Sequence, residues 1–272
     1  YVFWACQNAY VKPVEYCHLR KVSLKSIGLI IVAAIFLFIM ADYVNACSMI
    51  AFQNLLDNSL QAIVNKPVEA LVVVAILPAI IEEFLFRGMI YRGIANKSNK
   101  KIVIIISALL FAFLHMNFNQ MCYAFVMGLV FAIVIYLTDN LSVSILLHML
   151  FNAFTVIITC FEKSNAIQAI LQCNIAGYTL FNPSLTDTQG KIEISLLIIG
   201  GLIAILSAVI AGWLILLIAK TEKTTETTIN NKNILKDNDN IFKNNEKWKP
   251  DLRFFAGSGV CILIAILYEI LL

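Results

Sequence analysis

Charged residues are scarce in this sequence. They make up 14% of its 272 residues, whereas hydrophobic residues make up 60%, and a soluble domain of this size rarely has such a balance. The hydrophobic residues also cluster into runs long enough for membrane-spanning helices, each of which needs about 20 residues. The short alternating segments of a membrane β-barrel are missing. The sequence therefore predicts an all-α, polytopic transmembrane helix bundle.

Paired cysteine motifs are missing as well. The seven cysteines include no C-x-x-C pair, and several of them lie inside apolar runs. Cysteines in such positions behave as small hydrophobic residues, so we interpret them as packing residues of the helices.

Seven candidate spans can be assigned along the chain. They cover residues 24–44, 68–94, 102–118, 121–138, 141–161, 192–219 and 254–272. Residues 47–66 are too polar to span a membrane and are expected to form an interfacial helix or a loop packed on the bundle. Residues 1–12 resemble the tail of an upstream helix, so we expect some N-terminal sequence to be missing.

The spans divide the chain into three predicted parts. Residues 1–66 hold the first span and the interfacial segment, and residues 67–161 form a membrane core of four spans. Residues 162–272 contain the last pair of spans. The polar linker between that pair, at about 220–253, is rich in Asn and Lys and is expected to be poorly ordered.

Lysine and arginine are concentrated at one end of the predicted spans. Their clusters lie before the first span (Lys12, Arg20, Lys21 and Lys25), between the second and third (Arg92, Lys97, Lys100 and Lys101) and in the linker at 220–253. Because basic loops stay in the cytoplasm, the N-terminal side and the linker are predicted to be cytoplasmic. We expect an integral protein of a bacterial plasma membrane. Topology explains most of the basic residues, so we expect no nucleic-acid partner.

A few polar side chains interrupt the apolar runs at similar predicted depths. They are Glu82, Glu83 and Arg87 in the second span, His115 in the third, and His148 and Asn152 in the fifth. An ionisable side chain at mid-membrane is costly and usually faces the bundle interior, where it has a function. The third histidine of the chain, His18, lies among basic residues near a membrane edge and is expected to be solvated.

The spacing of the acids predicts different roles for them. Glu83 and Arg87 are four residues apart and are expected to pair on one helix face, which leaves Glu82 available for chemistry. Pro78, four residues before Glu82, is expected to free a backbone carbonyl at the depth of the acids.

Three short motifs resemble those of a known family. IEEFLFRG contains E-E-x-x-x-R, FAFLH contains F-x-x-x-H and HMLFN contains H-x-x-x-N, in this order on successive hydrophobic segments. Together they resemble the CPBP family (CAAX protease and bacteriocin-processing, also called Abi) of intramembrane proteases, which includes the type II CAAX prenyl endopeptidases. The resemblance covers about residues 68–157, and it implies that residues 67–161 are the catalytic core.

The resemblance implies an endopeptidase that acts on a membrane-embedded or lipidated, CAAX-like peptide. Glu82 would be the general base that activates water, assisted by His115. His148 and Asn152 would polarise the scissile carbonyl and stabilise the oxyanion, and the acid–arginine pair would support them. A carboxylate in apolar surroundings suits proton transfer near neutral pH, and an imidazole and an amide act strongly in a water-poor site.

Metal dependence is an open alternative. Two histidines and one carboxylate form a zinc-hydrolase ligand set, so a zinc ion, if present, would be held by Glu82, His115 and His148. The H-E-x-x-H motif is absent, and the glutamate-and-water mechanism needs no metal. A glutamic peptidase without a cofactor is therefore favoured over a metalloprotease.

Other functions fit the same residues. A bacteriocin self-immunity or maturation protein would belong to the same family. A proton-coupled transporter would use the glutamates and histidines as a relay, although the sequence shows no internal repeat of the transporter kind. A buried network that only locks the bundle together is disfavoured, because burying two acids is an expensive way to set helix register.

Overall fold

The computed structural model describes residues 13–52, 65–95, 99–186 and 189–234. In chain order its elements are α1 (Pro13–Tyr16), α2 (Leu24–Met49), α3 (Pro67–Ala70), a π-helical stretch (Leu71–Ile76), α4 (Leu77–Glu83), a second π-helical stretch (Phe84–Tyr91), α5 (Arg92–Ala95), α6 (Lys100–Phe113), α7 (Phe118–Thr138), α8 (Leu141–Cys160), α9 (Asn165–Leu171), β1 (Asn174–Ile175), β2 (Tyr178–Thr179) and α10 (Ile194–Ile234). The run from α3 to α5 is continuous and is called the composite helix. The two strands form a short antiparallel hairpin, and the predicted all-α membrane architecture is confirmed.

Four described helices are long and apolar enough to cross a membrane, namely α2, α7, α8 and the first part of α10. They correspond to the predicted first, fourth, fifth and sixth spans of an integral membrane protein. The predicted second and third spans correspond to the composite helix and α6. The seventh, residues 254–272, lies outside the described residues, as do residues 53–64 of the predicted interfacial segment. The number of seven spans therefore stays a prediction.

Helix α6 is shorter than the predicted third span. It ends at Phe113, so His115 lies in the turn that follows rather than inside a helix. The chain turns here because Met116 adopts a positive φ of 54°, and because the Asn117 side chain accepts a hydrogen bond from the backbone N–H of Gln120 at 2.9 Å. That contact caps the start of α7. The predicted end of this span, residue 118, is therefore wrong by five residues.

Helix α10 is longer than the predicted sixth span. It continues to Ile234, so the first part of the linker predicted at 220–253 is helical. Glu222 explains the difference, because it is buried and accepts hydrogen bonds from the backbone N–H of Ser23 and the side chain of Asn140, both at 3.1 Å. The prediction treated these polar residues as a poorly ordered linker, whereas one of them, Glu222, connects α10 to the bundle.

The helices enclose an aromatic core. Phe38 of α2 lies with its ring centroid 5.9 Å from that of Phe151 in α8. Phe111 of α6 and Phe131 of α7 meet edge to face with centroids 6.1 Å apart. Such tilted ring pairs add favourable contacts beyond the buried area. These four rings line the same cavity as several polar residues of the predicted spans.

Gly128 allows α6 and α7 to approach closely. A Cβ atom at Gly128 would lie 3.0 Å from the Cα of Ala108 and 3.2 Å from its carbonyl oxygen. Because both atoms belong to the backbone of α6, only a displacement of one helix could make room.

We expect Gly128→Ala to lower the stability of the protein by about 1–3 kcal/mol, as overpacking does elsewhere. The matched control is Gly212→Ala in α10, where an added Cβ would meet nothing within 4 Å. That variant should be neutral or slightly stabilising, since alanine is the better helix former. Thermal unfolding in detergent measures both, and equal melting temperatures for the two variants would contradict the packing argument.

A polar cluster joins several elements at the lysine- and arginine-rich end of the bundle. Asp139 follows α7 with a positive φ of 49°. Its carboxylate contacts His18 at 2.6 Å, Arg92 at 2.8 Å and Arg20 at 3.1 Å. His18 is therefore paired, and the prediction that it is only solvated is wrong. Sequence reasoning missed the pair because the two residues lie 121 positions apart.

The ionisation of Asp139 contributes to stability. Burial acts to raise the pKa of Asp139, but hydrogen bonds from His18 and Arg92, together with their charges, outweigh burial and lower the pKa from 3.8 to about 2. The contribution is therefore fully present above pH 3.8 and is lost as the pH falls through about 2. We expect Asp139→Asn to melt at a lower temperature than the wild type at neutral pH, with the difference shrinking across that window. Thermal unfolding at several pH values measures it, and a difference that does not change with pH would contradict it.

Candidate active site

A cavity of about 450 Å³ lies between α2, the composite helix, α7 and α8. The predicted site residues that line it are Glu82, His115, His148 and Asn152. The remaining two, Glu83 and Arg87, lie behind the wall of the cavity and are fully buried, with 0% of each side chain exposed. The structure thus brings all six residues together in two layers, one facing the cavity and one behind it.

The inner layer is the predicted ion pair. Arg87 Nη1 donates to Glu83 Oε1 at 2.7 Å, and Arg87 Nη2 donates to the carbonyl oxygen of Gly128 at 3.0 Å. Ser144 Oγ donates to the other carboxylate oxygen of Glu83 at 2.6 Å. The guanidinium carbon lies 4.4 Å from the ring centroid of Phe111, a cation–π contact. Both oxygens of the buried carboxylate are therefore bonded, which compensates its charge.

The composite helix changes its hydrogen-bond pattern on both sides of the acids. The stretches Leu71–Ile76 and Phe84–Tyr91 are π-helical, and α4 between them ends with Glu82 and Glu83. The wider π turns change which way successive side chains project, and they occur often at functional sites. The two acids separate here, since Glu82 lines the cavity while Glu83 is enclosed by protein.

Pro78 affects the backbone carbonyl of Val74, which lies two helical turns before Glu82 rather than at the predicted depth of the acids. Because proline has no N–H, the carbonyl of Val74, four residues earlier, lacks its usual α-helical donor. Asn152 Nδ2 donates to this carbonyl at 3.2 Å. The contact fixes the Asn152 amide against the composite helix. An amide nitrogen carries two hydrogens, so the second one can serve a molecule bound in the cavity.

His148 lies between the two acids. Its Nδ1 is 3.2 Å from Glu83 Oε1, and its Nε2 is 3.9 Å from Glu82 Oε2. The ring stacks on Phe131 with centroids 4.7 Å apart. A carboxylate accepts hydrogen bonds, so Nδ1 carries the proton in the contact with Glu83. Glu83 thereby orients the imidazole, and Nε2 points toward Glu82 in the cavity.

Glu82 and His115 complete the outer layer. The Glu82 side chain is 19% exposed, and its Oε2 atom is buried without a hydrogen-bond partner in the described part of the chain. His115 Nδ1 lies 3.0 Å from the carbonyl oxygen of Phe111, which can only accept, so Nδ1 carries the proton and Nε2 is an acceptor. Two proton-accepting groups therefore line the same cavity.

The three possible zinc ligands do not converge. Among the described residues, no group of three or more His, Cys, Asp or Glu side chains could hold a metal ion. The Nδ1 atoms of His115 and His148 are already directed to Phe111 and Glu83, respectively. The side chains as arranged do not fit a zinc site, and the mechanism without a cofactor stays a prediction.

Two residues of the site were missed by the sequence analysis. Ser144 lies four residues before His148, so the same i,i+4 rule that places His148 and Asn152 on one face could have found it. Gly128 contributes a backbone carbonyl, for which a sequence carries no signal.

Ser144→Ala is expected to lower the free energy of unfolding by about 1–3 kcal/mol, because the buried carboxylate of Glu83 would lose one donor. Ser142→Ala is a suitable control, since Ser142 contributes its backbone N–H rather than its hydroxyl to the contact with Asn140. Thermal unfolding of both variants in detergent measures the difference. If both variants melted together, the hydroxyl of Ser144 would have no special role.

Comparisons with known proteins agree with the motifs. Residues 64–154, which include all six predicted site residues, match the family model described as type II CAAX prenyl endopeptidase Rce1-like. A region of 116 residues is 34% identical to the membrane-embedded CAAX protease MroQ of Staphylococcus aureus (strain USA300). The match covers 40% of this chain and 47% of MroQ, so the chain spans about half the length of that curated relative. No solved structure matches the chain. Through residues 64–154, this membrane protein is similar to the Rce1-like type II CAAX prenyl endopeptidases, and its similarity to MroQ agrees with the CPBP proteases that its three motifs resemble.

Proposed function

We propose that this protein is an intramembrane endopeptidase that hydrolyses a peptide bond with a water molecule activated by Glu82. The observation that carries the proposal is the buried Oε2 atom of Glu82, which has no hydrogen-bond partner among the described residues and lies in a cavity that also contains His115, His148 and Asn152. A carboxylate in this position can take a proton from water at the moment when the water oxygen attacks the scissile carbonyl.

Each residue of the outer layer has a role in this reaction. Glu82 takes the proton from water and later gives it to the leaving amine, and His115 assists the transfer through Nε2. His148 donates from Nε2 to the oxyanion when its ring is doubly protonated. The free N–H of Asn152 is a second donor. Preorganised donors of this kind are worth most where water is excluded.

The substrate in this proposal is a membrane-embedded or lipidated peptide. The cavity is lined by the apolar rings of Phe38, Phe111, Phe131 and Phe151, which suit apolar side chains, and it also contains amides, hydroxyls and carboxylates. The lysine and arginine clusters support a cytoplasmic location for the N-terminal side and the 220–253 linker, and the membrane in this proposal is a bacterial plasma membrane. The relative is named a CAAX protease, and whether this chain also requires a prenyl group is decided by experiment.

The test is cleavage of quenched-fluorescent peptides, prenylated and unprenylated, by purified protein in detergent, with and without a chelator. We expect at least one peptide to be cleaved at the same rate in both conditions. Activity that is lost with chelator and restored by zinc would establish a metal mechanism instead. If no peptide were cleaved while the protein in liposomes carried a proton-dependent flux, the relay function would replace the proposal.

A further inference from the structure

Among the described residues, the cavity that holds Glu82 extends toward one end of the bundle and not toward the other. We infer, on the basis of the proposed function, that the protease takes its substrate from the membrane face opposite the lysine and arginine clusters. That face is the non-cytoplasmic one. The substrate would then be a peptide segment already translocated across the membrane, rather than a tail presented by the cytoplasm.

The directions of the helices define the two ends. Helices α2 and α10 run antiparallel, because Ser23 at the start of α2 contacts Glu222, while Tyr43 near its end donates to the carbonyl of Leu197 at 3.0 Å. We call the end that contains Ser23, Glu222 and the Asp139 cluster the basic end. The opposite end, where α2 and α8 finish and α7 begins, is called the cavity end.

The two ends differ strongly in positive charge. The described lysines and arginines of the basic end are Arg20, Lys21, Lys25, Arg92, Lys100, Lys101, Lys220 and Lys223. Those of the cavity end are Lys66, Lys163 and Lys191. Lysine and arginine close to the ends of spans stay in the cytoplasm, so the basic end is assigned to the cytoplasmic face and the cavity end to the other face.

The cavity extends from the catalytic level toward the cavity end. Along α8 its lining continues from His148 through Asn152 to Thr159, a rise of about 16 Å at 1.5 Å per residue, and Glu162 follows just after the helix. Helix α2 contributes Met49 from its last turn. Glu162 and Met49 are exposed, whereas His148 is buried, so the mouth lies at this end and the catalytic residues lie at the bottom.

A packed layer closes the cavity toward the basic end. The fully buried pair Glu83–Arg87 and its partners Ser144 and Gly128 lie directly behind His148. No lysine or arginine of the basic end is among the residues that line the cavity. A peptide that entered from the cytoplasm would have to break this hydrogen-bonded layer, whereas a peptide at the cavity end meets polar groups that can bind an extended backbone.

Cysteine labelling tests the assignment of the faces without any use of activity. Lys163→Cys at the cavity end and Lys101→Cys at the basic end are matched exposed positions, and the parent chain controls for its native cysteines. In intact cells, a membrane-impermeant maleimide should add label to Lys163→Cys only, and Lys101→Cys should gain label once the cells are permeabilised. The reverse pattern would overturn the inference.

Cleavage in sealed vesicles tests substrate access. A membrane-impermeant peptide that the protein cleaves in detergent should be cleaved by right-side-out vesicles, and cleavage should be lost in inside-out vesicles until detergent opens them. Vesicles with Glu82→Gln control for other peptidases. Cleavage by intact inside-out vesicles alone would overturn the inference and leave the proposed function standing. Correct labelling without cleavage of any peptide in detergent would contradict the proposed function alone.

Discussion

Glu82→Gln is expected to lower kcat for peptide cleavage by about 10²- to 10⁴-fold, the usual contribution of a general base. Glutamine has nearly the same shape as glutamate but cannot take a proton from water. Because Glu82 Oε2 has no hydrogen-bond partner among the described residues, the substitution removes no hydrogen bond of that atom, and the fold is expected to persist. The measurement is kcat and KM on the best peptide of the panel, with the melting temperature as the check on folding.

A second glutamate of the composite helix supplies the control. Glu69 lies on its first turn, is largely exposed and pairs with Lys66 at 3.1 Å, outside the cavity. Glu69→Gln should therefore leave kcat unchanged, since exposed ion pairs contribute little. A folded Glu82→Gln protein with the kcat of the wild type would remove Glu82 from the mechanism.

Arg87→Met is expected to have the largest effect on stability. It would leave the carboxylate of Glu83 buried without its counter-charge, and removal of one partner from a buried pair costs about 3–5 kcal/mol. The variant also loses the stacking of the guanidinium on Phe111. We expect a much lower melting temperature in detergent and a low yield of folded protein. Activity should fall as well, because Glu83 orients His148.

The double variant Glu83→Gln/Arg87→Met separates charge from packing. The double variant leaves no unpaired charge in the interior, so it should be more stable than Arg87→Met. Because the two residues are in contact, the effects of the two substitutions are not expected to add. It should not recover cleavage, since a neutral side chain at position 83 cannot hold the imidazole of His148 as a carboxylate does. A double variant as unstable as Arg87→Met would show that the effect of the arginine is packing rather than charge compensation.

Features that depend on neighbouring residues of one helix could be predicted from the sequence. The apolar runs specify membrane helices because the hydrocarbon core offers no hydrogen-bond partners, so the backbone N–H and C=O groups must bond to each other. The pairing of Glu83 with Arg87 follows from a spacing of one helical turn. The carbonyl freed at Val74 follows from the missing N–H of Pro78, since both effects lie within a single turn of chain.

Contacts between helices were decided only by the tertiary structure. Which face of α8 meets the composite helix determines that His148 lies between the two acids and that Asn152 takes the carbonyl of Val74. The early end of α6, which moves His115 into a turn, depends on the cap of the next helix. The pairing of His18 with Asp139 joins distant parts of the chain. The membrane helices, the candidate residues and the pairing within one turn could therefore be predicted from the order of the residues. Their convergence on one cavity, and the end at which it opens, came from packing, because spacing along a helix sets its faces but not which partner each face meets.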